Sequence, residues 1–111
     1  MRPLLVALAS VATLLVSAAP AAASVRLVAV TSPASPGSYA TLSAQVTPTA
    51  TCSITVYYKS GPSRAQGVKH LRRGGRVSWT WKVGTRTTPG RWRITVTCGR
   101  AGTLNTSFVV R

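Results

Sequence analysis

No aspartate and no glutamate occur among the 111 residues, against 14 lysines and arginines and a single histidine. Without a side-chain carboxylate there is no acid/base carboxylate pair, no Ser-His-Asp triad, no calcium loop and no magnesium site of the usual kind. Cysteine is sparse as well, with two in the chain. They lack the Cys-x-x-Cys spacing of a redox or zinc motif. The length allows one domain at most. What is abundant is positive charge, formally +14. Charge of that size speaks of polyanionic partners and solubility, and says nothing about fold.

Long apolar runs are confined to the beginning. Residues 1–23 read MRPLLVALASVATLLVSAAPAAA, with a positive start at Arg2, an apolar stretch from Leu4 to Val16 and a small-residue tail ending in Ala21-Ala22-Ala23. This is the layout of a secretory signal peptide, with cleavage expected between Ala23 and Ser24. The competing reading is an uncleaved membrane anchor. The apolar stretch of 13 residues is short for a span that needs about 20. Removal of the leader leaves residues 24–111, which carry 13 of the 14 cations because only Arg2 departs. Export places the protein outside the cell or at the cell envelope.

A domain of this size buries roughly 60–65% of its unfolded surface, so its core is marginal without a staple. Cys52 and Cys98 both lie in the exported part, where an even cysteine count favours a disulfide. The loop closed would hold 47 residues counting both ends, worth about 4 kcal/mol in the chain-entropy model.

Helix signals are nearly absent. Short β-branched and aromatic runs alternate with Gly, Pro and Ser clusters, the mark of an all-β domain. The pattern predicts strands over Val25–Val30, Tyr39–Val46 (ended by Pro48), Cys52–Lys59, Arg76–Val83, Arg91–Cys98 and Leu104–Val110, with a short edge strand around Gln66–Leu71. Val77, Trp79, Trp81 and Val83 share one parity, as do Trp92, Ile94, Val96 and Cys98, and these face inward. A one-residue slip would exchange every inward and outward residue, so the inward set is strongly specified. Both cysteines fall on inward parity. Cys52 opens its strand and Cys98 closes its own, so antiparallel neighbours would bring them to the same end. Six or seven short strands fit an immunoglobulin-like antiparallel β-sandwich with a Cys52–Cys98 bridge; a small closed barrel is the alternative.

Cys52, Tyr57 to Gly61, the pair Trp79 and Trp81, the turn Val83-Gly84-Thr85-Arg86-Thr87-Thr88-Pro89-Gly90, Trp92 and Cys98 together resemble a recurrent small immunoglobulin-like domain of secreted and cell-surface bacterial proteins. The resemblance covers about residues 38–110, and the Trp-x-Trp to Cys segment is its specific part. It implies a fold and an extracellular setting, and no catalytic residues. The chain departs from the pattern over Val68–Gly75, where Lys69, His70, Arg72 and Arg73 stand in a segment expected to be more neutral.

His70 is the only histidine, with no carboxylate to orient it, and reads as a solvated loop residue rather than a general base. The inward parity of Trp79, Trp81 and Trp92 makes them core residues before stacking platforms. No metal, cofactor or small-molecule substrate is expected. The candidate anion-binding residues are Lys59, Arg64, Lys69, Arg72, Arg73 and Arg76. Outward-facing Arg91 and Arg93 join them, expected beside Tyr57 and Lys59 if the two cysteine strands are neighbours. The expectation is a non-catalytic module held to an anionic polymer: cell-wall polymer, anionic lipid or extracellular nucleic acid, bound without sequence reading. A structural or protein-interaction domain with incidental charge is the alternative. A membrane-damaging cation fits a stapled sandwich less well than an amphipathic helix.

A surface that is merely solvated mixes both signs. Two cations about 10 Å apart repel by roughly 0.4 kcal/mol in water before screening, and thirteen with no side-chain counter-ion add up. The melting temperature is therefore expected to rise between low salt and 0.3 M salt; an unchanged melt would remove self-repulsion from the account.

Overall fold

The computed structural model describes residues 22–111; residues 1–21, and with them most of the expected leader, lie outside the described residues. Six strands follow in order: β1 Ser24–Val30, β2 Tyr39–Tyr58, β3 Gly61–Pro62, β4 Arg72–Lys82, β5 Gly90–Thr97 and β6 Thr103–Val110. Single 3₁₀ turns sit at Gln66–Val68 and Gly99–Ala101. Among the described residues no helix is long and apolar enough to cross a membrane.

The long strand β2 belongs to two sheets. Its first part pairs antiparallel with β1 (Ser24↔Thr47 to Val30↔Leu42) and with β4 (Tyr39↔Lys82 to Cys52↔Arg72). Its second part pairs with β5 from Ser53↔Thr97 to Val56↔Ile94, and β5 pairs with β6 along its length. The expected break at Pro48 is instead an irregularity within one continuous strand, and the change of partner follows at Cys52–Ser53. A proline has no N–H to give to a ladder. The β2–β4 register shifts between Gln45 and Ala50, around Pro48.

Alternation gives each sheet one apolar face. Leu42, Ala44, Trp79 and Trp81 from the first sheet and Ile54, Val56, Ile94, Val96 and Phe108 from the second are buried in one cluster. The rings of Trp81 and Phe108 meet edge-on across the gap at 5.8 Å. Two facing three-strand layers, one of β1, β2 and β4 and the other of β2, β5 and β6, make an immunoglobulin-like sandwich in which the strand that usually flanks β4 is missing. After β1 the chain crosses to the second sheet: Ala34 pairs parallel with Val110, its N–H donating to the Val109 carbonyl at 2.8 Å.

Cys52 and Cys98 are joined at 2.04 Å. Continuing the Ser53↔Thr97 register by one step sets them directly opposite each other, so the bridge lies within the second sheet, between neighbouring strands. The antibody-type bridge joins the two sheets instead. A formed disulfide in so small a domain is compatible with an extracellular setting.

Two expectations are corrected. The segment Gln66–Leu71 is no edge strand: Val68 and Lys69 donate to the carbonyls of Ala65 and Gln66, a local turn in place of a ladder. Strand β4 begins earlier than expected, at Arg72. The turn occupies the place of the missing strand, with Val68 buried and Gly67 laid against β4 so closely that a Cβ would run into the carbonyl of Thr80. Trp92, expected inward, packs against the core cluster and is half-buried there.

Gly67→Ala must push the turn off a backbone that cannot yield, a cost of about 1–3 kcal/mol. That corresponds to a melting temperature lower by at least about 4 °C for a domain of this size. A variant melting with the wild type would show that the turn is not seated on β4.

Candidate functional site

The cations are distributed by the strands that carry them, and the nine candidate residues do not form one patch. Along β4, Arg72 and Lys82 are ten residues apart, about 33 Å at the rise of an extended strand. Arg72 pairs with Cys52 at the disulfide end, and Arg76 lies opposite Gln45, whose other neighbour is Arg26. Arg73 donates to the Thr51 hydroxyl at 3.0 Å. Lys69 caps the 3₁₀ turn. Lys59 and Arg64 belong to the opposite end, on the hairpin and loop that follow β2.

Arg91 and Arg93 stand on the outer face of the second sheet. As the strand pairing requires, Arg93 lies beside Tyr57, its guanidinium carbon 4.4 Å from the ring centroid. A contact of this kind is worth about 0.5–1 kcal/mol at an exposed site. It also occupies one face of the ring, so Tyr57 serves to hold Arg93. Arg91 donates to the Ser107 hydroxyl at 3.1 Å. Hydroxyl and amide groups also stand on this face, where Thr95 donates to Asn105 at 2.9 Å.

A concavity lies at the end of the sandwich away from the disulfide. It is an open groove of about 1080 Å³ between two loops. One wall is the turn Lys59-Ser60 with Ser63 and Arg64; the other is Lys82, Gly84, Arg86, Thr87 and Thr88; Tyr58, Pro62 and Ala65 form the floor. The first wall is shaped by a two-residue hairpin, Tyr58 pairing with Gly61, where Gly61 takes φ +117°, a conformation L side chains rarely adopt. It is fastened by the Ser63 N–H to the Val56 carbonyl at 2.7 Å. The second wall is fastened by the Trp92 indole N–H, which donates to the Thr88 carbonyl at 2.8 Å, and by the Thr87 N–H to Gly84 at 3.1 Å.

Beneath the floor the aromatic rings interlock. Tyr58 meets Trp92 at 6.4 Å and Phe108 at 6.1 Å, both edge-on, a preferred arrangement of aromatic quadrupoles. The Trp81 indole N–H donates to the Tyr58 hydroxyl at 3.1 Å, and that of Trp79 to the His70 carbonyl at 2.9 Å. All three indoles thus have partners, and no polar or charged residue is buried among the described residues. Lys59, Arg64, Lys82 and Arg86 are exposed around a floor that carries no charge. Of these four, the sequence reading lacked Lys82 and Arg86. They come from the far side of the fold, and their only sequence signal was an outward parity at the end of β4 and a place in a Gly-Thr turn.

Among the described residues no group of three or more His, Cys, Asp or Glu side chains could hold a metal ion. His70 is exposed and engaged through its backbone. No family model matches the sequence, and no curated protein matches it. Among solved structures the chain is similar to the crystal structure of the titin domains z1z2 in complex with telethonin, at 18% identity and a TM-score of 0.49 over 81% of this chain and 48% of that one. The chain therefore spans about half the length of that neighbour.

Burial raises the Tyr58 phenol above its ordinary 10.0, while the Trp81 hydrogen bond pulls the other way. The folded state therefore prefers the neutral phenol, and this contribution is complete below about pH 10 and lost as pH rises beyond it. Tyr58→Phe leaves the Trp81 N–H without its acceptor, at about 1–2 kcal/mol near neutral pH. The advantage of wild type over the variant is expected to narrow between pH 9 and pH 11 in denaturant titrations. A gap that stays constant would mean that the phenol is not desolvated.

Proposed function

We propose that the protein is an exported, non-catalytic binding module that associates with polyanions outside the cell or at its envelope, like the small bacterial surface domains its sequence resembles. The observation that carries this reading is a surface of thirteen cations with no aspartate or glutamate among them, displayed on a sandwich whose core holds no charged group. A surface built for solubility alone would interleave acids. Here every approach presents cations: Arg72, Arg73 and Arg100 at the disulfide end, Arg91 and Arg93 on the second sheet, and the four around the groove. Cations so placed release counter-ions from a polyanion on binding, which makes association steeply dependent on salt.

A second reading, a protein-interaction domain with incidental charge, draws on the exposed apolar side chains Leu27 and Val28 at the β1 edge. The two separate by salt. The oxidised domain (residues 24–111) in low salt is expected to melt several degrees higher with heparin, polyphosphate or a short DNA duplex, and the gain should vanish on adding salt. No shift with any of the three would make the charge a solubility feature and leave the protein-interaction reading.

A further inference from the structure

We propose that the groove between the β2–β3 hairpin and the β4–β5 loop is a dedicated site for an acidic glycan, a chain that carries sulfate, phosphate or carboxylate groups together with free hydroxyls. This rests on the polyanion reading above and adds a place and a ligand class to it. Two segments distant in sequence line the groove and bring a pair of cations each, Lys59 and Arg64 from one and Lys82 and Arg86 from the other. A chain lying between them is met by positive charge from both sides, whereas the cations of the sheet face stand on an open surface. Charge complementarity is complete, since no residue lining the groove is acidic.

The groove is open along its length, so an extended chain can lie in it without being enclosed. Hydroxyls of Ser60 and Thr88 line it beside the cations, offering donors and acceptors that suit a hydroxylated chain.

The same lining disfavours nucleic acid. Base-stacking needs an exposed aromatic face. The single aromatic in the groove, Tyr58, is packed edge-on between Trp92 and Phe108 with its hydroxyl bonded to Trp81. Tyr39, exposed and paired with Lys82, lies outside the lining. The structure therefore provides charge and hydroxyls at this site and withholds a stacking platform.

The test compares two variants of equal charge, both confined to exposed side chains. One is K59Q/R64Q/K82Q/R86Q in the groove; the other is R26Q/R72Q/R76Q/R100Q around the disulfide end. Affinity is measured by calorimetry at 0.15 M salt for a heparin oligosaccharide and for an oligothymidylate of matched charge, with melts of each unliganded variant to verify folding. The groove variant is expected to lose roughly 10- to 100-fold in heparin affinity, the sum of four exposed charge contacts, and the control no more than about 3-fold. The wild type is expected to prefer the oligosaccharide. Equal losses in both variants would overturn the groove site and leave general polyanion binding standing. Equal or tighter binding of the oligothymidylate would overturn the glycan assignment. Binding of neither probe by the wild type would remove the polyanion reading itself, and the groove with it.

Discussion

Everything in this molecule turns on one strand serving two sheets. β2 leaves the first sheet at Cys52, the last residue paired with β4, and enters the second at Ser53, the first paired with β5. Burial of one face specifies the register within each sheet, and the change of partner is the point at which the two registers must be matched. The disulfide acts at that hinge. By tying Cys52 to the residue opposite it on β5, it fixes the register of the second sheet at its first rung, beside the Cys52–Arg72 pair at which β2 leaves the first. The staple thus pins the second sheet where β2 enters it and adds the entropic constraint expected of a 46-residue separation.

The groove is a product of that alignment. Its walls are the turn after β2 and the turn after β4, which lie together because Tyr39 pairs with Lys82 and Tyr58 with Gly61. Both strands must reach this end of the sandwich before Lys59 and Lys82 can line one groove. The aromatic cluster below supports the geometry, since Tyr58 receives the Trp81 N–H and the Trp92 N–H holds the Thr88 carbonyl. A core of uncharged residues therefore positions like charges that would otherwise separate. The repulsion among them is the physical reason an anionic ligand would stabilise the fold.

Much of this was legible from residue order. Strict alternation in Val77–Val83 placed Trp79 and Trp81 inside, and the parity of the two cysteines foretold their bridge, because period two leaves a strand no freedom to present the wrong face. The pairing of Arg93 with Tyr57 followed from the same rule. Turns and loops were less legible. Gln66–Leu71 had the residues of an edge strand, yet Gly67 has no Cβ and can be seated on the Thr80 carbonyl, a tertiary contact that local pattern does not contain. A run of six cations from Lys59 to Arg76 looked like one patch and is divided by the length of β4. Lys82 and Arg86 gained their meaning from a loop twenty residues away.

The outer edge of the first sheet shows how such a molecule avoids its own kind. β1 exposes Leu27 and Val28 at 40% and 43% on an edge strand, where an unpaired ladder ordinarily invites a second chain to add on. The β1–β2 register shifts between Leu27 and Ala29, and a bulge of that kind bends the strand and increases its local twist. An incoming copy would find that the row of donors and acceptors breaks mid-strand, with Arg26 just before the break meeting a surface of its own sign. The bulge and Arg26 therefore both work against edge-to-edge addition of a second copy.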